Sequence, residues 1–333
     1  GVDVDENGQV TANGKKVDKI MMDGKAFFGN DPKIAMENLP SAIVDKVQIT
    51  DTKTTEEEIS GAPASGNTKT INLTLKKGMD HGYFGRAYAG YGTGKHYDAS
   101  ALVNYFRGKE RITILGASNN INKIGFTADE AATMMGPDSR VFVNSGTGGM
   151  DVGGMNFGGG SGINKNTTAG LDYGNDIGKH TSINGSYFYG DINNQNDVNT
   201  SRQNILPDSL FYSNSDNRSE NVNHNHRINL TLKYKDSSWR ITYQPYLGLS
   251  EENETSRSTA ASTGAKGDLI NQSTSLYRTH ETMTHLRNNL NVYRTFKQKG
   301  KFLGAYFYAD NSNTRDNNLN QYRNLFYDGS SPE

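Results

Sequence analysis

Residues 280 to 285, HETMTH, place two histidines and a glutamate within one short stretch. A zinc peptidase uses such a set with two residues between Glu and the second His, so that both imidazoles sit on one helix face and the Glu acts as general base. Three residues separate Glu281 from His285 here, and on a strand His280 and His285 point to opposite faces, which excludes that chemistry. His224 and His226, in NHNHR, do share a strand face; they read either as a metal-binding pair or as an exposed pair at a loop rim. GYGTGKH, residues 90 to 96, imitates a phosphate loop but has Ala89 and His96 where that loop needs Gly and Ser or Thr, so a turn between strands accounts for its glycines. The acidic DTKTTEEE, residues 51 to 58, lacks EF-hand spacing and reads as a solvated loop. With 7 His, mostly near turns, nothing pairs a nucleophile with a base. A non-enzyme without cofactor is expected. The Gly-rich run 146–162 carries Met150, Met155 and Phe157, adaptable side chains suited to a loop tip that touches a ligand or partner protein, or else a loop folded into a lumen without a specific role. Phe211 and Tyr212, in the next long loop, complete the ligand-contact candidates.

These side chains sit on a framework of alternating strands. Mean hydropathy is -0.74 and no apolar run approaches the roughly 20 residues of a membrane helix. A transmembrane strand escapes that test, because only every second residue meets lipid. The alternation gives strands near 83–92, 97–107, 110–119, 167–177, 181–193, 226–235, 239–251, 282–297 and 302–314. In 239–251, Trp239, Ile241, Tyr243, Pro245, Leu247 and Leu249 alternate with Arg240, Thr242, Gln244, Tyr246 and Gly248, so one face suits lipid and the other a wet lumen. Tight turns at 107–110, 178–180, 235–238 and 297–301 alternate with long connections at 120–166, 194–225 and 252–281, the pattern of a membrane barrel with short periplasmic turns and long outer loops; the outer connection 93–96 is short. Tyr83 and Tyr91, and again Tyr97 and Tyr105, lie eight residues apart on one face, roughly 20 Å along a membrane normal at a 40° tilt. Antiparallel pairing brings Tyr91 to Tyr97 and Tyr83 to Tyr105, one aromatic pair at each edge of an apolar band.

The first 80 residues differ. Strands at 9–12 and 16–22 flank Asn13-Gly14, a hairpin turn; Asp31 as N-cap and Pro32 start a helix over 32–38; strands follow at 44–50 and 69–78, where Ile71, Leu73 and Leu75 share a face. This is a small α/β unit. The chain has no Cys, which removes disulfides and thiol chemistry, and its net charge of -1 argues against nucleic acid. Opening on GVDVDENGQV, it shows no signal peptide, and the natural N-terminus is expected to lie upstream.

MMDGKAFFGND, ENLPSAIVDKVQI and SGNTKTINLTLKKG, in that order, resemble the plug domain of TonB-dependent outer-membrane receptors, and GYFGRAYAGYGT with NNINKIGF resembles the opening barrel strands of the Bacteroidetes-type outer-membrane β-barrel family. The likeness covers roughly residues 8 to 126; no TonB box precedes it. It implies a plug over 1–80 and the N-terminal part of a barrel over 81–333, about nine strands of a probable 22, in the outer membrane of a Gram-negative bacterium. It further implies a receptor or transporter that binds a nutrient ligand outside and is coupled to TonB, with outer-membrane lipid and a surface lipoprotein as further partners. The alternative is a plugged barrel with a structural or assembly role and no substrate of its own. A soluble all-β carbohydrate-binding protein would expose the Trp239 to Leu249 row to water and is disfavoured. Nine strands leave unpaired edges, so a longer natural chain is expected.

Overall fold

The computed structural model describes residues 2–4, 10–22, 25–26, 44–76, 81–126, 141–144, 149–152, 155–158, 161–207, 209–298, 301–328 and 331–332. The expected helix over 32–38 lies outside them. The N-terminal part forms a mixed sheet of β1 (Val2–Val4), β2 (Val10–Ala12), β3 (Lys15–Met22), β4 (Lys25–Ala26), β5 (Val44–Asp51) and, after the helix α1 (Thr55–Ser60), β6 (Thr68–Leu75), ordered β1-β2-β3-β6-β5 with β4 on β3. Asn13 and Gly14 take φ of 52° and 75°, the left-handed pair that a two-residue hairpin turn requires. Irregular spacing in two strands is repaired by bulges. Between Val17 and Lys19 the β3–β6 register shifts, so Val17 and Ile20 reach the same face. A second shift places Val44, Val47 and Ile49 opposite Leu75, Leu73 and Ile71. Val10, Ala12, Val17, Ile20 and Ile71 are buried together, with Ile49, Leu73, Leu75 and Phe84 packed against them.

The stretch 51–58, read from the sequence as a loop, instead enters α1. Thr54 accepts from the Glu57 backbone N–H at 3.2 Å while the Thr54 N–H donates to Glu57 Oε2 at 2.8 Å, a closed capping box, and Gly61 ends the helix at φ 73°.

Nine long strands follow: β7 (His81–Tyr91), β8 (Tyr97–Arg107), β9 (Glu110–Asn119) and, after the short β10 (Val141–Asn144), β11 (Gly149–Val152) and β12 (Met155–Phe157), β13 (Ile163–Ile177), β14 (Thr181–Leu206), β15 (Ser209–Lys235), β16 (Trp239–Gly264), β17 (Leu269–Thr295) and β18 (Phe302–Asp328). With β19 (Ser331–Pro332) they make one antiparallel sheet in sequence order, β7 at one end and β19 at the other, while β10–β12 form a separate small sheet. Tyr83 pairs with Tyr105 and Tyr91 with Tyr97, as the eight-residue spacing requires.

The stretches 194–225 and 252–281, expected as long loops, are continuous hairpins instead. The β14–β15 ladder runs without a break to Leu206↔Ser209, and β16–β17 runs to Thr263↔Leu269 with one irregularity near its end. These extensions are polar on both faces, so no hydrophobic alternation marks them; the backbone ladder and cross-strand pairs such as Ser201–Asn214 (2.6 Å), Arg218–Asp197 (2.9 Å) and Asn221–Glu252 (2.6 Å) order them. β15, of 27 residues, is roughly 90 Å long, over twice what an apolar band uses.

Among the described residues of the connection between β9 and β13, Phe126, Met150 and Phe157 pack on the sheet. Phe126, Phe157 and Phe188 meet edge to face at 5.0, 5.9 and 6.2 Å, buried with Leu102, Leu115, Ala117, Met150 and Ile192. Phe188→Ala should cost about 3–5 kcal/mol, read as a lower denaturation midpoint in detergent, whereas Ile205→Ala at the exposed hairpin end should leave it unchanged.

Candidate functional site

The two faces of the large sheet can be told apart by what α1 touches. Arg240 Nη1 donates to Glu58 Oε2 at 3.0 Å, Lys235 Nζ lies 3.9 Å from the same oxygen, and the Tyr293 hydroxyl donates to Glu56 Oε1 at 2.7 Å. Lys235 pairs with Arg240 and Arg240 with Tyr293, so all three lie on one face, turned toward the N-terminal unit. Strand alternation then assigns every other side chain. Inward stand Arg240, Thr242, Gln244 and Tyr246; outward stand Trp239, Ile241, Tyr243, Pro245, Leu247 and Leu249.

The outward residues form apolar rows across strands. Ile183, Leu232, Tyr243, Leu290 and Phe307 are successive cross-strand partners, and so are Tyr187, Ile228, Leu247 and Leu286. Ile228 at 46%, Leu286 at 45% and Phe307 at 55% exposure would be costly in water over so wide a surface. From Trp239 to Leu249 the row measures roughly 33 Å along the strand, or about 25 Å at a 40° tilt, the height of an outer-membrane apolar band. Above it the outward face turns polar with Asp191, His224 and Glu251, successive partners across β14 to β16. Arg294 lies over the Trp239 ring at 5.2 Å near the short-turn edge.

Ladder and packing decide where the candidate residues fall. His280 and His285 take opposite faces of β17: His280 Nδ1 lies 2.8 Å from Asn253 Oδ1 and His285 Nε2 2.6 Å from Asp310 Oδ1. His224 and His226 share the outward face, one 3.6 Å from Asp191 and the other 2.8 Å from the Tyr187 hydroxyl. Gly94 and Lys95 turn the chain at φ 71° and 65°, as a strand connection rather than a phosphate cradle. Met150 and Phe157, expected at a ligand-touching loop tip, are instead 2% and 0% exposed inside the aromatic cluster, because Phe157 is drawn against Phe126 and Phe188. The side chain of Met155 lies outside the described residues. Phe211 and Tyr212 stand near the end of the β14–β15 hairpin, opposite Asn204 and Gln203, with Tyr212 exposed.

The residues that join the two sheets were missed in the sequence reading, although Thr54-x-x-Glu57 followed by Gly61 is a helix signature. They hold α1 by charge and by hydrogen bonds. The hydroxyl of Tyr293 bonded to Glu56 holds that carboxyl below its ordinary 4.5.

No family model matches the chain, and a comparison with curated proteins gives no match. Among solved structures it is similar to the ferric-catecholate import receptor Fiu from E. coli K12 (12% identity, 98% of this chain and 63% of that one, TM-score 0.27). It is similar also to BauA, the ferric preacinetobactin receptor from Acinetobacter baumannii (10% identity, 96% and 56%, TM-score 0.28), and to the copper transporter OprC (10% identity, 100% and 56%, TM-score 0.21). The chain thus spans about 56 to 63% of the length of these proteins. The fold assignment rests on the strand ladder, not on this likeness.

Because the docked carboxyl of Glu56 has a depressed pKa, the docked state binds fewer protons than the released one. Docking of α1 should therefore be complete above pH 4.5 and weaken as pH falls through the depressed value. Hydrogen exchange of the α1 amides measures this, and Glu56→Gln should flatten the pH dependence.

Proposed function

We propose that the chain is the plug-bearing part of an outer-membrane receptor of the TonB-dependent type, with residues 1–80 as plug and 81–333 as the first part of the barrel, in a Gram-negative bacterium. The observation that carries this reading is the two-faced sheet. Its outward apolar rows match a bilayer in height, and its polar inward face holds a folded unit through Glu56, Glu58, Arg240 and Tyr293. A soluble sheet would cover such rows with a second layer.

On this reading the short turns face the periplasm, the extended hairpins stand outside, and a nutrient ligand meets the outer ends before passing inward under TonB control. Phe211, Tyr212 and Met155 are proposed to contact ligand, while Met150 and Phe157 are held in the aromatic cluster. The similar structures include a ferric-catecholate import receptor, a ferric preacinetobactin receptor and a copper transporter, and small metal chelates are one class to test first. A surface lipoprotein seated on the polar hairpins is a further proposed partner. An assembly role without cargo is the competing reading, favoured by how far β14 to β18 continue past the apolar rows.

Two measurements test the proposal. Leu247→Arg, outward at mid-band, should cost about 2–4 kcal/mol of stability in lipid vesicles, whereas inward Thr242→Arg should cost little; equal effects would remove the membrane assignment. In cells carrying the full natural chain, nutrient accumulation should stop on depolarisation. Continued accumulation would leave only the assembly role.

A further inference from the structure

At the short-turn edge of the outward face one arginine is held by aromatic rings rather than by an acid. Arg294 of β17 pairs across the ladder with Trp239 of β16, and its guanidinium carbon lies 5.2 Å from the centre of the Trp239 ring and 5.4 Å from that of Phe296. The turns fix both rings: the Trp239 backbone N–H donates to Asp236 Oδ1 at 2.6 Å, and the Phe296 N–H donates to the Lys301 carbonyl at 3.0 Å. Between them, the Thr295 N–H donates to the Ser238 carbonyl at 2.7 Å. Among the described residues no carboxylate pairs with Arg294, and the indole N–H of Trp239 has no acceptor. Asp236, the acid of the adjoining turn, is already engaged, Oδ1 by the Ser238 and Trp239 backbone and Oδ2 by the Tyr234 hydroxyl at 2.7 Å. At band height the outward side chains of β17 and β18 include no Asp or Glu, while Lys297 and Lys301 stand exposed in the turn below.

We infer that Trp239, Arg294 and Phe296 form a seat for the headgroup phosphate of an anionic phospholipid in the inner leaflet. The inference rests on the reading above in taking this face as lipid-facing and the short turns as periplasmic. The level fits. Trp239 ends the apolar row of about 25 Å, and Arg294 stands in line with Trp239 and Leu303, so acyl chains would run from here along Ile241 and Val292 toward mid-band. Contact with ring faces uses no hydrogen bond, so Arg294 keeps its N–H donors for two phosphate oxygens, and the indole N–H supplies another. The rings also hold a long side chain in place before the lipid arrives, so less rotamer freedom is lost on binding. Lys297 and Lys301 add positive potential, which favours a headgroup of net negative charge over one whose phosphate is balanced by its own ammonium. Phosphatidylglycerol therefore outcompetes phosphatidylcholine at this seat.

Trp239 itself reports on the seat. The experiment measures tryptophan emission of the full natural chain in vesicles of equal parts phosphatidylcholine and phosphatidylglycerol at low salt, with bromine, a short-range quencher, on the acyl chains of one lipid or the other. The part of the signal absent from Trp239→Phe belongs to Trp239. Brominated phosphatidylglycerol should quench it beyond its share of the lipid, corresponding to about fivefold preferred occupancy, and brominated phosphatidylcholine below its share. Arg294→Gln should bring both to their shares, and Arg294→Lys should keep part of the preference. Lys297→Gln combined with Lys301→Gln should reduce it less than Arg294→Gln does. Vesicles in which both lipids are brominated check that each variant has inserted. Quenching in proportion to lipid share in the unmodified chain, or a preference that survives Arg294→Gln, would overturn the seat alone, because Trp239 would still have met lipid. No quenching by either lipid would remove the lipid-facing reading together with the seat.

Discussion

Register is the constraint on which everything else depends. In the β15–β16 ladder Lys235 meets Arg240 and Leu232 meets Tyr243, and a slip of one residue would exchange the two faces of a strand. Arg240 would then leave Glu58 for the apolar side and Trp239 would enter the polar one. The tight turns hold this register. At 236–238, Asp236 Oδ1 accepts from the backbone N–H of Ser238 at 2.7 Å and of Trp239 at 2.6 Å, fixing where β16 begins. A carboxylate so bonded has its pKa lowered by these backbone donors, so the turn stays closed at neutral pH.

Above the apolar rows the same ladder continues under a different rule. Burial no longer selects a face, and stability comes from hydrogen bonds between polar neighbours and from the unbroken backbone ladder. The extensions therefore stand as ordered hairpins rather than loops. Their polarity keeps them wet, while Ile205, Leu206 and Tyr212 near the end of the β14–β15 hairpin leave apolar surface exposed there.

The N-terminal unit is joined to the sheet in two different ways. Phe84 of β7 packs against the small core and stacks at a tilt on Phe106 at 6.3 Å, an apolar contact indifferent to salt. The α1 contacts are polar and exposed, and their strength varies with pH, salt and competing anions. One attachment holds the unit to β7 while the other can be exchanged, which suits a unit that must stay joined and yet respond.

The strands, their ends at the tight turns and the division into two faces were legible in the sequence, because side chains alternate with period two and a half-buried strand records its surroundings in every second residue; the far ends of β14 to β18 were placed 13 to 17 residues short. The pairing of Tyr83 with Tyr105 followed from spacing alone. Met150 and Phe157 were misplaced, since a Gly-rich stretch carries no sign of which distant aromatic ring will receive it; Phe188, 31 residues beyond Phe157, decides that. The polar hairpins were hidden because residues wet on both faces leave no period. The contact of Glu56 and Glu58 with Tyr293, Lys235 and Arg240 spans up to 237 residues, and only the folded chain brings these groups together. Local pattern determined which face each residue takes, and tertiary packing determined which residue it meets there, because partners distant in the chain are chosen by shape and charge that no local pattern records.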